Sequence, residues 1–268
     1  MPKTKANGVE MYYEIFGGSG PALVLISGLG YTHWQWHRMV PLLAPYFQVI
    51  IYDNRGVGQT EKTAGPYTAA LLAADLAGLL DELGFEKAIV MGHSMGGFIA
   101  QAFALEYPHK LSKLILCATN FGGPRHVPIT PEAMTVLSDV SSDPVTRFKN
   151  GLVVSTAPGF AQRQPEIIQE WLEWRLANPV DVDGYRAQMA IGLGLLTEEA
   201  SFEHKLGQIS VPTLILFGAH DKVVPPANAE LLAQQVKGST VHLLADAGHF
   251  FPIESPEAAA RAVINFAK

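Results

Sequence analysis

The chain has 268 residues, 48% of them hydrophobic and 16% charged, and 25 aspartates and glutamates against 19 lysines and arginines give a formal charge of −6. At that length most of the unfolded surface can be buried without staples, and the single cysteine excludes a disulfide framework. No cluster of lysine or arginine is present, which excludes the electrostatic footprint of a nucleic-acid or anionic-membrane binder. Residues 1–8 lack the apolar core of a signal peptide, and no apolar run is long enough to span a bilayer. A cytoplasmic location, with no membrane or nucleic-acid partner, is expected.

In chain order, Asn7-Gly8 followed by the strand pattern of 9–16 predicts a hairpin. Residues 17–21 break the chain. Residues 22–26 form the continuous apolar run of a strand covered on both faces, ending in the turn Ser27-Gly28-Leu29-Gly30. A helix over 34–43, a strand over 47–52, a turn over 53–58 and a helix over 67–83, stopped by Gly84, follow. A strand from Ala88 runs into a glycine-flanked serine and then into a helical pattern at Phe98, Ile99, Ala102, Phe103 and Leu105. Strands over 111–118, 213–217 and 240–244, with helices over 227–236 and 256–266, complete an alternation that predicts an α/β fold with a mostly parallel central sheet. The interval 121–210 breaks the rhythm and reads as helices, among them 165–174 and 182–196. The expected organisation is a core domain over 1–120 and 211–268 and a helical cap insertion over 121–210 at the carboxyl edge of the sheet.

Gly92-His93-Ser94-Met95-Gly96 matches the Gly-x-Ser-x-Gly elbow, in which a tight turn lifts a serine hydroxyl above the sheet edge and the glycines let neighbouring backbone pass. Ser94 is the candidate nucleophile. A serine hydroxyl needs a histidine to take its proton and an acid to hold the imidazole in the right tautomer. Asp221 lies just past the strand 213–217 and fits the acid. His249 lies in the loop after the next strand, before the last helix, and fits the base. The order Ser94, Asp221, His249 puts all three on one sheet edge. Asp246 is the competing acid, but it suits a loop cap, whereas Asp221 follows the preceding strand. The oxyanion needs donors, and the amides of Met95 and Leu29 are placed to supply them.

These residues carry a resemblance over nearly the whole chain. Ser27-Gly28-Leu29-Gly30, Asp53-Asn54-Arg55-Gly56-Val57-Gly58, the elbow with Gly97, Gly218-Ala219-His220-Asp221 and Gly248-His249-Phe250 resemble, in order and spacing, the α/β-hydrolase superfamily. Within it the chain is similar to small esterases, enol-lactonases and aminoacrylate-hydrolase-like enzymes, and also to serine cofactor-free haloperoxidases and carbon–carbon hydrolases. It departs from the commoner His-Gly pattern at the first turn, where Ser27 stands, as it tends to in the enol-lactonase-like and aminoacrylate-hydrolase-like members. Serine at position 94 argues against relatives with an aspartate nucleophile. The resemblance implies a serine hydrolase that cleaves a small-molecule carboxylic ester or lactone through an acyl-enzyme, as a monomer or homodimer. Cleavage of a carbon–carbon, carbamate-like or enol-lactone bond, or slow turnover in a ligand receptor, are the alternatives.

No cofactor is expected. No histidine or cysteine cluster has metal-ligand spacing, and Gly28-x-Gly30 lacks the rest of a dinucleotide fingerprint. Cys117 sits in an apolar run and reads as a buried strand residue. Asp53 and Arg55 read as a turn-stabilising network in preference to an anion site. Arg125 and Arg163 read as solvated. Phe121, Phe148, Phe160, Trp171, Trp174 and Met189 supply apolar surface that packs the insertion and is available to line an acyl or ring pocket.

Overall fold

The computed structural model describes residues 2–139 and 141–268. Its strands are β1 (Lys3–Ala6), β2 (Val9–Phe16), β3 (Ala22–Ile26), β4 (Gln48–Tyr52), β5 (Ala88–His93), β6 (Leu111–Cys117), β7 (Thr213–Gly218) and β8 (Thr240–Leu244). They form one eight-stranded sheet in the order β1-β2-β4-β3-β5-β6-β7-β8. The first two strands make the predicted hairpin, turning at Asn7 and Gly8 with φ of 45° and 80°. β2 pairs antiparallel with β4, and every pairing from β4 through β8 is parallel.

Parallel strands covered on both faces need apolar side chains at successive positions, and these are shared alternately between two cores. Val24, Ile26 and Val90 pack with Leu72, Leu76, Ile99 and Phe103 on one face. Leu23, Leu25, Ile89 and Met91 pack with Leu43, Ala259 and Val263 on the other.

The helices of the core are α1 (Val40–Leu43), α2 (Ala69–Glu82) and α3 (Met95–Glu106). Between β6 and β7 come α4 (Pro131–Leu137), α5 (Pro144–Ser155), α6 (Phe160–Arg163), α7 (Pro165–Ala177) and α8 (Val182–Leu193), and after β7 come α9 (Ala227–Gln235), α10 (Phe251–Glu254) and α11 (Pro256–Ala267). Thr68 caps α2 by accepting from the Leu71 N–H, and Gly84 beyond its end adopts φ 75°. The single helix expected over 34–43 is instead two short pieces. Thr32 caps a 3₁₀ turn, His33–Trp36, and Pro41, with no N–H to donate, fits only in the first turn of α1.

The segment between β6 and β7 carries α4 to α8, and two of its apolar contacts with the core stand out. Trp171 of α7 is buried with Leu152 and Ile253 and packs against Tyr31, Phe148 and Phe250. Ala187 and Ile191 of α8 join the core on the α3 side. Chain direction matters for what lies beneath. β3 has β4 on one side and β5 on the other, so the connections leave in opposite directions and open a crevice at the carboxyl ends of β3 and β5. The turns 27–30 and 92–96 border that crevice.

Candidate active site

Ser94 joins β5 to α3 with φ 55° and ψ −118°, a backbone region that disfavours side chains and costs on the order of 1–3 kcal/mol. The Ser94 N–H donates to Cys117 O at 2.9 Å, and its carbonyl accepts from Gly97 N–H at 2.8 Å, so both sides of the turn are tied down. The glycines around it are required by contact. A Cβ on Gly92 would lie 2.1 Å from Gly96 O, and one on Gly96 would lie 2.4 Å from Ile26 O. The serine itself is half-buried, at the bottom of the crevice.

Asp221 and His249 pair with each other in the loops after β7 and β8. The His249 Nδ1–H donates to Asp221 Oδ2 at 2.8 Å, and both residues are 3% exposed. Asp221 Oδ1 is filled by the amides of Val223 and Val224, each at 2.8 Å, which fixes the carboxylate rotamer and leaves Oδ2 for the imidazole. With Nδ1 committed to the carboxylate, the ring nitrogen left to act as a base is Nε2. Asp246, the competing acid, is exposed. A dent of about 390 Å³ lined by Ala157, Pro158, Arg163, His220 and Asp246 includes neither Ser94 nor His249.

His93 is fully buried beside the serine. Its Nε2–H donates to the His249 carbonyl at 2.8 Å, and its ring lies 4.7 Å from the His249 ring. Burial, with the neighbouring His249 adding to it, holds the His93 imidazole well below its ordinary range, so it stays neutral. It is therefore a buried support for the His249 loop.

The turn after β3 is held from several directions. Gly28 N–H donates to Gln35 Oε1 at 2.9 Å, and Gly30 N–H donates to Gln188 Oε1 at 3.0 Å. Gly28 O accepts from Tyr31 N–H at 3.2 Å. The Leu29 N–H between them takes no acceptor among the described residues. A Cβ on Gly28 would lie 3.3 Å from the Ser94 Cβ, so the turn passes directly beside the serine.

Three residues that the sequence reading passed over shape this geometry. Gln35 and Gln188 hold the turn, and Glu254 holds the histidine loop, accepting Gly248 N–H at 2.7 Å and Ala157 N–H at 2.6 Å. Burial raises the Glu254 carboxyl above its ordinary range, against the effect of those two amides. The available signal was an amide or carboxylate within an otherwise apolar stretch, but its partners are 7, 158 and 97 residues away.

Asp53 and Arg55 form the expected network. Asp53 accepts from the His33 ring at 2.7 Å and from the amides of His33 and Gln59 at 2.8 Å. Burial lowers the His33 pKa, but the Asp53 hydrogen bond and charge outweigh it, and the net direction is up. Arg55 pairs with Asp75 through two bonds of 2.9 and 2.6 Å. Arg125 is exposed, as expected, and its guanidinium also pairs with the buried Glu203 at 2.9 Å. Among the described residues no group of histidine, cysteine and carboxylate is arranged to hold a metal, and no helix is long and apolar enough to cross a membrane.

A family model described as alpha/beta hydrolase fold matches residues 21–256. The chain is 31% identical to a 2-hydroxy-6-oxononadienedioate/2-hydroxy-6-oxononatrienedioate hydrolase of Burkholderia vietnamiensis, over 96% of this chain and 91% of that protein. It is 30% identical to 3-oxoadipate enol-lactonase 2 of Acinetobacter baylyi, over 96% and 93%. The crystal structure of the enol-lactonase from Burkholderia xenovorans LB400 superposes with a TM-score of 0.82 at 29% identity, covering 99% of both chains. The eight-stranded sheet, the strained serine at its switch point and these matches agree: the chain is a serine hydrolase and belongs to the α/β-hydrolase fold family.

Proposed function

We propose that the protein cleaves a carboxylic ester or lactone through an acyl-enzyme on Ser94. The observation that carries this reading is the 2.8 Å bond between His249 Nδ1 and a buried, doubly amide-capped Asp221, on the same sheet edge as the strained serine. His249 Nε2 takes the Ser94 proton as Oγ attacks the carbonyl carbon, and the collapsing tetrahedral adduct expels the alkoxide, which His249 protonates. Water, deprotonated by the same imidazole, then attacks the acyl-enzyme and frees the acid. Asp221 orients the imidazole and stabilises its charged form. The Leu29 and Met95 amides hold the developing oxyanion. Removing one such donor typically costs about 10²–10³ in rate.

The segment 121–210 serves in this reading as a cap that selects the substrate. Tyr185, Met189 and Leu193 form an apolar stripe along α8 that remains uncovered. The stripe starts where the Tyr185 ring meets Gly30, and Gly192 further along lies against Phe98. Such a wall suits an aliphatic or ring acyl group. The relatives named for dienedioate and enol-lactone hydrolysis keep a carbon–carbon or enol-lactone bond as the second reading.

Turnover of p-nitrophenyl acetate, of a simple lactone and of a dienoate tests the reading. Wild type is expected to hydrolyse the ester or the lactone with multiple turnovers, and Ser94→Ala to lose at least about 10³ of kcat while keeping its fold. Equal activity in the variant overturns the nucleophile assignment. A single burst without turnover favours the receptor, and turnover of the dienoate alone favours carbon–carbon cleavage.

A further inference from the structure

Gly30 is where the helical cap takes hold of the oxyanion turn. Gln188 of α8 is fully buried and bridges two turns of the core, accepting Gly30 N–H through Oε1 at 3.0 Å and donating from Nε2 to Arg55 O at 2.9 Å. Arg175 of α7 donates from Nη1 to Gly30 O at 3.2 Å, with its guanidinium 4.8 Å from the Tyr31 ring. Tyr185 closes over the same residue. Gly30 adopts φ 69°, and a Cβ there would fall 2.9 Å from the Tyr185 ring.

The peptide planes of the turn are fixed one by one. In a trans peptide the N–H and C=O point opposite ways. The Gly28 carbonyl faces Tyr31 N–H, so the Leu29 N–H of the same peptide is presented on the other side. The plane before it is fixed by Gln35 from the core, and the plane after it, Leu29 to Gly30, is fixed by Gln188 from the cap. Without Gln188 the Leu29–Gly30 plane loses its amide restraint, and Tyr31 beyond it, whose N–H holds the Gly28 carbonyl and so the Leu29 N–H of the same peptide, is freed to shift.

We propose that Gln188 is a positioning residue for the Leu29 oxyanion donor, so that seating the cap on the core completes the oxyanion hole. This rests on the reading of Leu29 as a donor and adds that the donor's aim is set from the cap. A cap that lifted with Gln188 would leave Ser94, His249 and Asp221 in place with a misdirected hole.

The test is Gln188→Met, which keeps length and volume but neither accepts nor donates. A donor displaced by about 1 Å costs about 100-fold in rate, so kcat on p-nitrophenyl acetate is expected to fall about 10- to 100-fold with KM within about 3-fold. The thiono ester of the same alcohol develops charge on a larger sulfur that the hole does not fit, so the oxo-to-thiono rate ratio is expected to fall in the variant as well. A packing role alone would leave that ratio unchanged. Amide hydrogen exchange over residues 28–31 reads the positioning without turnover, and Gly30 is expected to exchange at least about 10-fold faster in Gln188→Met than in wild type.

Unchanged ratio and unchanged exchange in a folded variant overturn the inference, even where Ser94→Ala confirms the nucleophile. Inactive wild type with faster Gly30 exchange in the variant overturns the ester reading and keeps the positioning. If Gln188→Met does not fold, Arg175→Met is expected to move kcat and the ratio in the same direction by about 2- to 12-fold, and no movement there overturns the inference.

Discussion

The sheet and the helical segment between β6 and β7 are built on different terms. In the sheet, Leu23, Leu25, Val90 and Met91 are wholly buried, and their strands β3 and β5 each sit between two neighbours and two layers of helix. In the segment, α4, α5 and α8 leave Met134, Leu137, Val153 and Leu193 between 47% and 64% exposed, and what is buried against the core comes from the Trp171 cluster, the inner face of α8 and the flanking residues Phe121, Leu195, Phe202, Leu206 and Ile209. A framework buried on both faces holds reacting groups still. A segment whose outer helices leave apolar side chains exposed can vary what it presents to the substrate without disturbing them.

The largest effect that can break this comparison lies in the sheet's loops. Asp221→Asn keeps the shape but reverses the hydrogen-bond sense at His249, and kcat is expected to drop about 10⁴-fold, while Asp246→Asn leaves it within about 2-fold. Steady-state kinetics on an activated ester decide between the two acids. Stability should separate the regions next. Leu25→Ala is expected to cost about 2–5 kcal/mol in urea denaturation, and Val153→Ala, at 64% exposure, no more than about 0.5 kcal/mol.

A pH series sharpens the same contrast on a smaller scale. His93 titrates below its ordinary value of 6.5 when folded. Below about 6.5 the unfolded chain therefore binds a proton that the folded chain refuses, and stability falls as the pH drops, by up to about 1.4 kcal/mol per unit. His93→Gln removes that slope, so the gap between wild type and variant is expected to narrow from pH 7 to pH 5 in thermal melts. The smallest effect belongs to the segment. Leu193→Ser is expected to lose up to about 4-fold in kcat/KM for each acyl methylene it no longer covers, with acetate esters unaffected.

Much of the sheet could be read in advance because burial on both faces writes itself into continuous apolar runs, and Ala22–Ile26, Ala88–His93 and Thr213–Gly218 show it plainly. The candidate residues could be placed for a related reason: Ser94 directly follows Ala88–His93 and Asp221 lies three residues past Thr213–Gly218, while His249 comes five residues after the mostly exposed strand Thr240–Leu244. The helix boundaries near Trp34 were not legible, because Pro41 divides what apolar spacing alone would join. Gln35, Gln188 and Glu254 were illegible on other grounds. Each acts on a backbone amide, and a backbone amide has no residue identity for a pattern to pair with.

The strained backbone at position 94 carries one more consequence. Glycine accepts φ 55° freely, whereas serine is held there at on the order of 1–3 kcal/mol, a noticeable share of the roughly 5–15 kcal/mol by which a domain is stable. Ser94→Gly should therefore melt at a higher temperature than wild type while turning over nothing. With Ser94 as the proposed nucleophile, durability and turnover are traded against each other at this one residue.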